Sequence, residues 1–369
     1  MMARDGLYLR HADFLPVPGL DRAIDLGQGF TPLVRSRSIG PKAGIPDLRF
    51  KMEQLNPTGS YKDRFAGLAI GEALCGGATS CIATSSGNTG AALAAFAASA
   101  GMDCALYVSE NAPEGKLAQM LAYGARVYRV DRFTIDPEES RAISEMLERE
   151  AEARGLTLFI TAYAICPGPM EGIKTIAYEL HADAPDAADV FVPVGGGGLH
   201  VAIARGYDDL RGAGLTGASP RIHAVQPEGN DTVATPLREG ATEARPVATS
   251  TTISGLGVGF ILDGHEVIRH ARATGGTGHV IDEDEIRAVQ RRLAQEEGIL
   301  VEPAGAVGVA GALAAAREGQ LTGDRPAICI LTGHGFKDPG TMQSMGGDAI
   351  RIGRSDLPGT FQPTPEAAS

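Results

Sequence analysis

Again and again along this chain, a short run of β-branched and aliphatic residues breaks at glycine and resumes as an alanine-rich helical stretch. Residues 81–84 lead through Ser85-Ser-Gly-Asn-Thr-Gly90 into a helical run over 91–100. Residues 189–194 lead through Gly195, Gly196, Gly197 and Gly198 into another over 199–210, and residues 327–331 lead into Thr332-Gly-His-Gly335. Between them, runs with strand character at 103–108, 126–130 and 156–161 alternate with helical stretches at 114–123 and 138–154. Strands that alternate with helices return to the same sheet edge through a crossover, so the pattern predicts an α/β protein with mostly parallel sheets. Such sheets open ligand crevices at the carboxyl ends of their strands, which is where these glycine-rich turns fall.

A length of 369 residues suits a well-buried core and about two domains. With 43% hydrophobic and 21% charged residues, the chain falls among globular proteins rather than disordered or fibrous ones. The net charge of −12 argues against nucleic acid or an anionic membrane as a partner, while leaving room for a small anion at a locally positive site. No apolar run approaches the ~20 residues of a membrane span. The first residues carry Arg4, Asp5, Arg10, His11 and Asp13 without an apolar core, so no signal peptide is expected. Five cysteines without a CxxC pair fit a reduced, cytoplasmic setting. Cys75, Cys81, Cys104 and Cys329 read as inert core thiols; Cys166 could line a pocket or act as a nucleophile, but without a nearby His or Asp it reads as a packed thiol. His265 and His270 are five apart and do not share a helix face, so no metal site is expected and the histidines read as surface or capping residues. Pro167 and Pro169 break regular structure after 156–161 and mark a domain crossing, with a helix over 171–181 just beyond. Residues 282–297 begin with acids, as a helix N-terminus favours. From about residue 354 the chain turns to Pro, Ser, Gly and Thr and is expected to fray.

Four segments could carry chemistry. In Asn56-Pro-Thr-Gly-Ser-Tyr-Lys62-Asp-Arg64, a turn delivers Lys62 to the start of a helix over 65–74, where the positive end of the helix dipole favours an uncharged, nucleophilic amine. A solvated surface lysine is the plainer alternative. The turn at 85–90 could form an anion-binding nest with hydroxyl and amide donors, or could simply close a βα unit. The glycines at 195–198 sacrifice packing and backbone entropy, as a close approach to a phosphate at a helix N-terminus requires. A dinucleotide site would want G-x-G-x-x-G in an opening βαβ unit; this run lies mid-chain with His200 after it, and no P-loop motif occurs. Thr332, at the end of an apolar strand, could hydrogen-bond a neutral ring nitrogen or serve as a capping residue in a turn.

Taken in this order, the four segments resemble the fold-type II pyridoxal 5'-phosphate (PLP) enzymes, the tryptophan synthase β-subunit superfamily, and within it are most similar to threonine synthases. Leu26-Gly-Gln-Gly-Phe-Thr-Pro-Leu33 is similar to that family's entry segment and residues 331–339 (LTGHGFKDP) to its closing motif, so the resemblance spans about 25–345. It implies two three-layer α/β/α domains with PLP in the cleft between them. Residues 1–75 and 165–345 would form the large domain, 76–164 the small one and 346–369 a tail. Lys62 would bind the cofactor covalently and later shuttle the α-proton. Asn88 would hydrogen-bond the ring hydroxyl, and Gly195, Gly196, Gly197 and Gly198 would hold the phosphate. Thr332 would face the ring nitrogen, and Ser85, Ser86 and Thr89 would bind the substrate carboxylate. A homodimer acting on a small amino-acid substrate is implied as well.

Threonine synthases release phosphate from O-phosphohomoserine and must hold that second phosphate. The family's Asn-Pro and nearby Arg are replaced here by Cys166-Pro-Gly-Pro169, which removes the natural fork for a dianion. Lys116 or Lys174 could supply the charge instead. The segment at 251–258 also departs from the family pattern. An ammonia-lyase for hydroxy amino acids, or a β-replacing synthase on a serine derivative, is therefore the alternative on the same scaffold. A non-catalytic or dinucleotide-binding α/β protein is the alternative of another class.

Overall fold

The computed structural model describes residues 6–357 apart from 86, 113, 134–136, 322 and 356. Among these described residues, ten strands form two sheets: β1 (Leu33–Arg35), β2 (Leu48–Lys51), β3 (Ser80–Ala83), β4 (Asp103–Ser109), β5 (Arg126–Val130), β6 (Thr157–Phe159), β7 (Asp189–Pro193), β8 (Arg221–Pro227), β9 (Gly278–Ile281) and β10 (Ala327–Ile330). The larger sheet has the order β1-β2-β10-β7-β8-β9 and the smaller one β5-β4-β3-β6. All neighbours run parallel except the edge pair β1–β2, where Val34 faces Phe50 across an antiparallel register.

The centre of the larger sheet is apolar on both faces, which is what two covering helical layers demand. Alternation along each strand divides its side chains between them. Val190, Val192, Ile222, Ala224, Ile328 and Ile330 pack into the core that holds the helix Gly198–Gly212. Phe191, Val225, Cys329 and Leu331 face the opposite core, with the helices Glu283–Glu297 and Pro303–Arg317. The smaller sheet is layered likewise. Cys81, Ala83, Cys104 and Leu106 pack with the helix Asn88–Ser99, while Ile82 and Ala105 meet Ala151 of the helix Pro137–Arg154. The expected α/β architecture with two mostly parallel sheets, each between helical layers, is therefore what the chain adopts.

Several details differ from the sequence reading. The helix over 171–181 is split into a 3-10 turn at Glu171–Lys174 and an α-helix at Thr175–Asp183. The helix Pro303–Arg317 had no counterpart in the sequence pattern. Its run of Gly, Ala and Val shows no amphipathic period because it is buried almost all round. The histidines are not mainly surface residues: His200, His223, His270 and His279 are buried, and His223 bonds Asp189 at 3.0 Å. Cys75, read as a core thiol, is exposed, because it lies at the end of the helix Asp63–Cys75. No described helix is long and apolar enough to cross a membrane. Ser86 and residues 358–369, where fraying was expected, lie outside the described residues.

Candidate active site

Lys62 stands at the N-cap of Asp63–Cys75, in αR geometry. The turn before it is stitched to the strand end that carries Thr332. Ser60 bridges Gly333, the Tyr61 N–H donates to the Thr332 carbonyl at 3.2 Å, and the His334 N–H donates to the Gly59 carbonyl at 2.9 Å. Asp63 fixes the turn from within, accepting from the Thr58 N–H at 2.6 Å and from the Thr58 hydroxyl. Burial raises the Asp63 carboxyl to about 6, against the pull of those hydrogen bonds. Behind the turn, the buried Arg64 guanidinium holds Glu53 at 2.7 Å and Glu179 at 2.6 Å, and Glu179 also meets the buried Lys51 amine at 2.7 Å. Burial would raise Glu179, but the guanidinium and the ammonium outweigh it and hold the carboxyl at about 2.

The Lys62 amine opens onto a cavity of about 390 Å³. It donates to the Thr161 hydroxyl at 3.0 Å and lies 4.7 Å from the centroid of the Tyr61 ring. Ser85, Asn88, Thr89, all four glycines at 195–198 and Thr332 line the same cavity. The structure thus brings together every described residue that the resemblance implied for the cofactor or the substrate carboxylate. In the larger sheet the ends of β7 and β10 converge with the Lys62 turn because each βα turn of a parallel sheet opens at the same edge, and the end of β3 meets them from the smaller sheet.

These walls fit a phosphorylated heteroaromatic aldehyde. The Thr332 hydroxyl oxygen is buried without a hydrogen-bond partner, an arrangement that costs stability unless a ligand supplies one. A Cβ on Gly195 would come within 2.3 Å of the Gly255 carbonyl, and Gly197 adopts φ +88°, so this loop cannot carry ordinary side chains. A Cβ on Gly196 would meet nothing within 4 Å, which leaves room for a ligand against bare backbone. The helix Gly198–Gly212 begins there, and its first N–H groups have no partner within the helix, as an oxyanion requires.

Thr161 and Glu302 also line the cavity and were missed by sequence reasoning. Thr161 lies 3.3 Å from the Thr89 hydroxyl, and its position two residues past β6 is the signal that marks it. Glu302 accepts from the Asn88 amide at 2.7 Å, and burial raises its carboxyl above the usual range. Its only local mark is the Pro303 that starts the next helix. Neither Cys166 nor Pro169 reaches the cavity: both are buried, and the Cys166 sulfur accepts from the Ile160 N–H at 3.5 Å. Burial also raises that thiol to about 11, as in a packed rather than a reactive cysteine. Lys174 is sequestered too, 2.7 Å from Asp209 and 2.5 Å from Glu171. Lys116 instead reaches the hydroxyl of Ser254, a residue of the cavity wall.

Comparison with known proteins accords with this geometry. The chain is 32% identical to the threonine synthase of Methanocaldococcus jannaschii over 349 residues, covering 93% of this chain and 84% of that protein. It is 32% identical to the threonine synthase of Mycobacterium tuberculosis over 338 residues, covering 91% and 89%. Among solved structures, maize serine racemase superposes with a TM-score of 0.70 at 28% identity, covering 85% of this chain and 91% of that one. A threonine deaminase of Solanum lycopersicum has a TM-score of 0.71 over 92% of each chain; at 22% identity it speaks to the fold alone. The pyridoxal-phosphate dependent enzyme family is matched over residues 24–333. By sequence, fold and the shape of its cavity, the chain belongs to the family of pyridoxal-phosphate dependent enzymes.

Proposed function

We propose that this enzyme is a lyase or synthase of threonine-synthase type, acting on an amino acid with a leaving group at Cβ or Cγ, with O-phosphohomoserine as the first candidate and threonine plus phosphate as products. The observation that carries this reading is the meeting of the Lys62 amine, the unpartnered Thr332 hydroxyl and the glycine cradle around one cavity. Bound there, PLP supplies an electron sink for the charge left when the α-proton departs. Lys62 holds the cofactor and, once released, takes that proton as a base. The Thr161 hydroxyl orients the Lys62 amine and accepts its hydrogen bond. Thr332 would face the ring nitrogen as a neutral hydroxyl partner. Asn88, held by Glu302, presents its amide to the ring hydroxyl. Gly195, Gly196, Gly197 and Gly198 bind the cofactor phosphate, and Ser85 and Thr89, with Ser86, bind the substrate carboxylate at the start of the helix Asn88–Ser99.

The same reading divides the chain into 1–75 with 165–345 and 76–164. The two separate sheets support that division. It also makes the protein a cytoplasmic homodimer.

A second reading is favoured by one observation: Cys166 and Pro169, which replace the expected phosphate clamp, do not face the cavity. It makes the enzyme an ammonia-lyase for serine or threonine, or a β-replacing synthase. Steady-state assays of the purified holoenzyme separate the two. Phosphate and threonine from O-phosphohomoserine support the first reading, and 2-oxo acid and ammonia from serine or threonine support the second. If neither phosphohomoserine nor phosphoserine releases phosphate, the first reading is wrong.

A further inference from the structure

A second cavity, of about 510 Å³, adjoins the cleft and shares Gly87 and Asn88 with it as a common wall. Two ammonium groups face it, those of Lys116 and Lys337, and among the described residues no Asp or Glu lines it. Elsewhere in the protein, the buried cations Lys51, Arg64 and Lys174 each lie within 2.7 Å of a carboxylate oxygen. Among the described residues, neither Lys116 nor Lys337 forms an ion pair.

Lys337 is held in place rather than left to solvent. Its amine donates to the Gln119 carbonyl oxygen at 2.7 Å, and the Gln119 amide donates in turn to the Thr58 carbonyl at 2.9 Å. Its stem packs on Gly59, where a Cβ would approach the Lys337 Cε to 3.1 Å. Burial lowers its pKa, Lys116 lowers it further, and Glu302 and Asp63 act against that from beyond the cavity wall. Both of these carboxylates are engaged, Glu302 with Asn88 and Asp63 with Thr58. A desolvated ammonium beside a second one, without a counter-ion, is favourable only when an anion completes the site.

We propose that this cavity is a subsite for a phosphate-type dianion, held between Lys116 and Lys337 and supplied either by the substrate's leaving group or by free phosphate. Two point-charge ammoniums suit a tetrahedral dianion, which needs no planar fork. Position supports the substrate as a source. Asn88 borders both cavities, and Lys116 touches Ser254 of the cleft wall, so the chain of an amino acid bound near Lys62 leads toward both lysines. As a statement about the substrate, the inference rests on the threonine-synthase reading; as a statement about anion binding, it stands without it.

The test uses wild-type holoenzyme with Lys337→Gln, Lys116→Gln and Lys337→Arg. Inorganic phosphate is titrated by phosphorus NMR, and turnover of O-phosphohomoserine is followed in parallel. The visible absorbance of the cofactor reports that each variant is folded and loaded. Phosphate should bind the wild type and bind either Gln variant about tenfold more weakly or worse, with partial rescue in Lys337→Arg. The KM for O-phosphohomoserine should rise by a similar factor, with a smaller fall in kcat. Weaker phosphate binding in the variants, with no phosphorylated amino acid turned over by the wild type, supports the anion site and removes the threonine-synthase reading. The proposal is overturned if wild-type enzyme does not bind phosphate at millimolar concentration, or if the Gln variants match it in both phosphate affinity and KM.

Discussion

The Lys62 amine lies 3.0 Å from the Thr161 hydroxyl, and 99 residues of sequence separate the two. Lys62 belongs to the turn tied to the end of β10, whereas Thr161 follows β6 of the smaller sheet. The hydrogen bond therefore crosses the cleft. Removing the hydroxyl leaves the amine without its orienting partner. Thr161→Val should lower kcat by about 10- to 100-fold, the worth of one hydrogen bond to a charged or reacting group. Cofactor content, read from visible absorbance, should stay near that of the wild type.

The unpartnered Thr332 hydroxyl gives a prediction with two opposite signs. Thr332→Val replaces a buried, unsatisfied oxygen by a methyl group of similar shape. The apoenzyme should be as stable as the wild type or slightly more so, while PLP affinity falls by about tenfold. Thermal melts of the apoenzyme and a cofactor titration read the two effects separately. A loss of apoenzyme stability of several degrees would show that the hydroxyl has a structural partner.

Neighbouring glycines should fail differently. A Cβ at Gly195 would press on the Gly255 carbonyl, which is backbone and cannot step aside. Gly195→Ala is expected to cost about 1–3 kcal/mol in stability, measured by denaturant unfolding. At Gly196 the new methyl meets open space, so folding should be unaffected. That space is where the cofactor phosphate is expected, so Gly196→Ala should fold normally and bind PLP poorly.

Acid stability should follow Glu179. Its carboxyl is held at about 2 in the folded protein, below the ordinary 4.5, by Arg64 and Lys51 against the cost of burial. A carboxyl with a depressed folded pKa contributes its full stabilisation above the unfolded value and loses it as pH falls toward the folded value. Stability should therefore decline from about pH 5 down to pH 2. Glu179→Gln should flatten that decline and, by leaving Arg64 and Lys51 under-compensated, cost about 3–5 kcal/mol near neutrality. Urea melts of both proteins across this range provide the measurement.

Much of this site was legible in the sequence because its main parts are local. Ser85, Asn88 and Thr89 fall in one βα turn and the glycines at 195–198 in another, and a parallel sheet turns any such loop toward its ligand edge. Lys62 was readable only in company, since nothing in its own neighbours separates it from a surface lysine. Thr161 and Glu302 were not legible, because their importance arises from contacts across 99 and 214 residues. The same holds for the counter-ions of Arg64. No local pattern singles out Glu53 and Glu179, yet they are buried together around one guanidinium. The helix Pro303–Arg317 escaped notice because a helix buried on nearly every side carries no polar stripe.

The Ser60–Gly333 bridge has a mechanical consequence. It couples the Lys62 turn to the segment bearing Thr332, so the amine and the hydroxyl travel together when the protein breathes. Ser85, Thr89 and Thr161 belong to the other sheet's side of the cleft. Widening the cleft would then part Thr161 from Lys62 while the Lys62 turn and Thr332 keep their spacing. On the proposed reading, the carboxylate-binding side of the site would open while the amine and the hydroxyl stay in register.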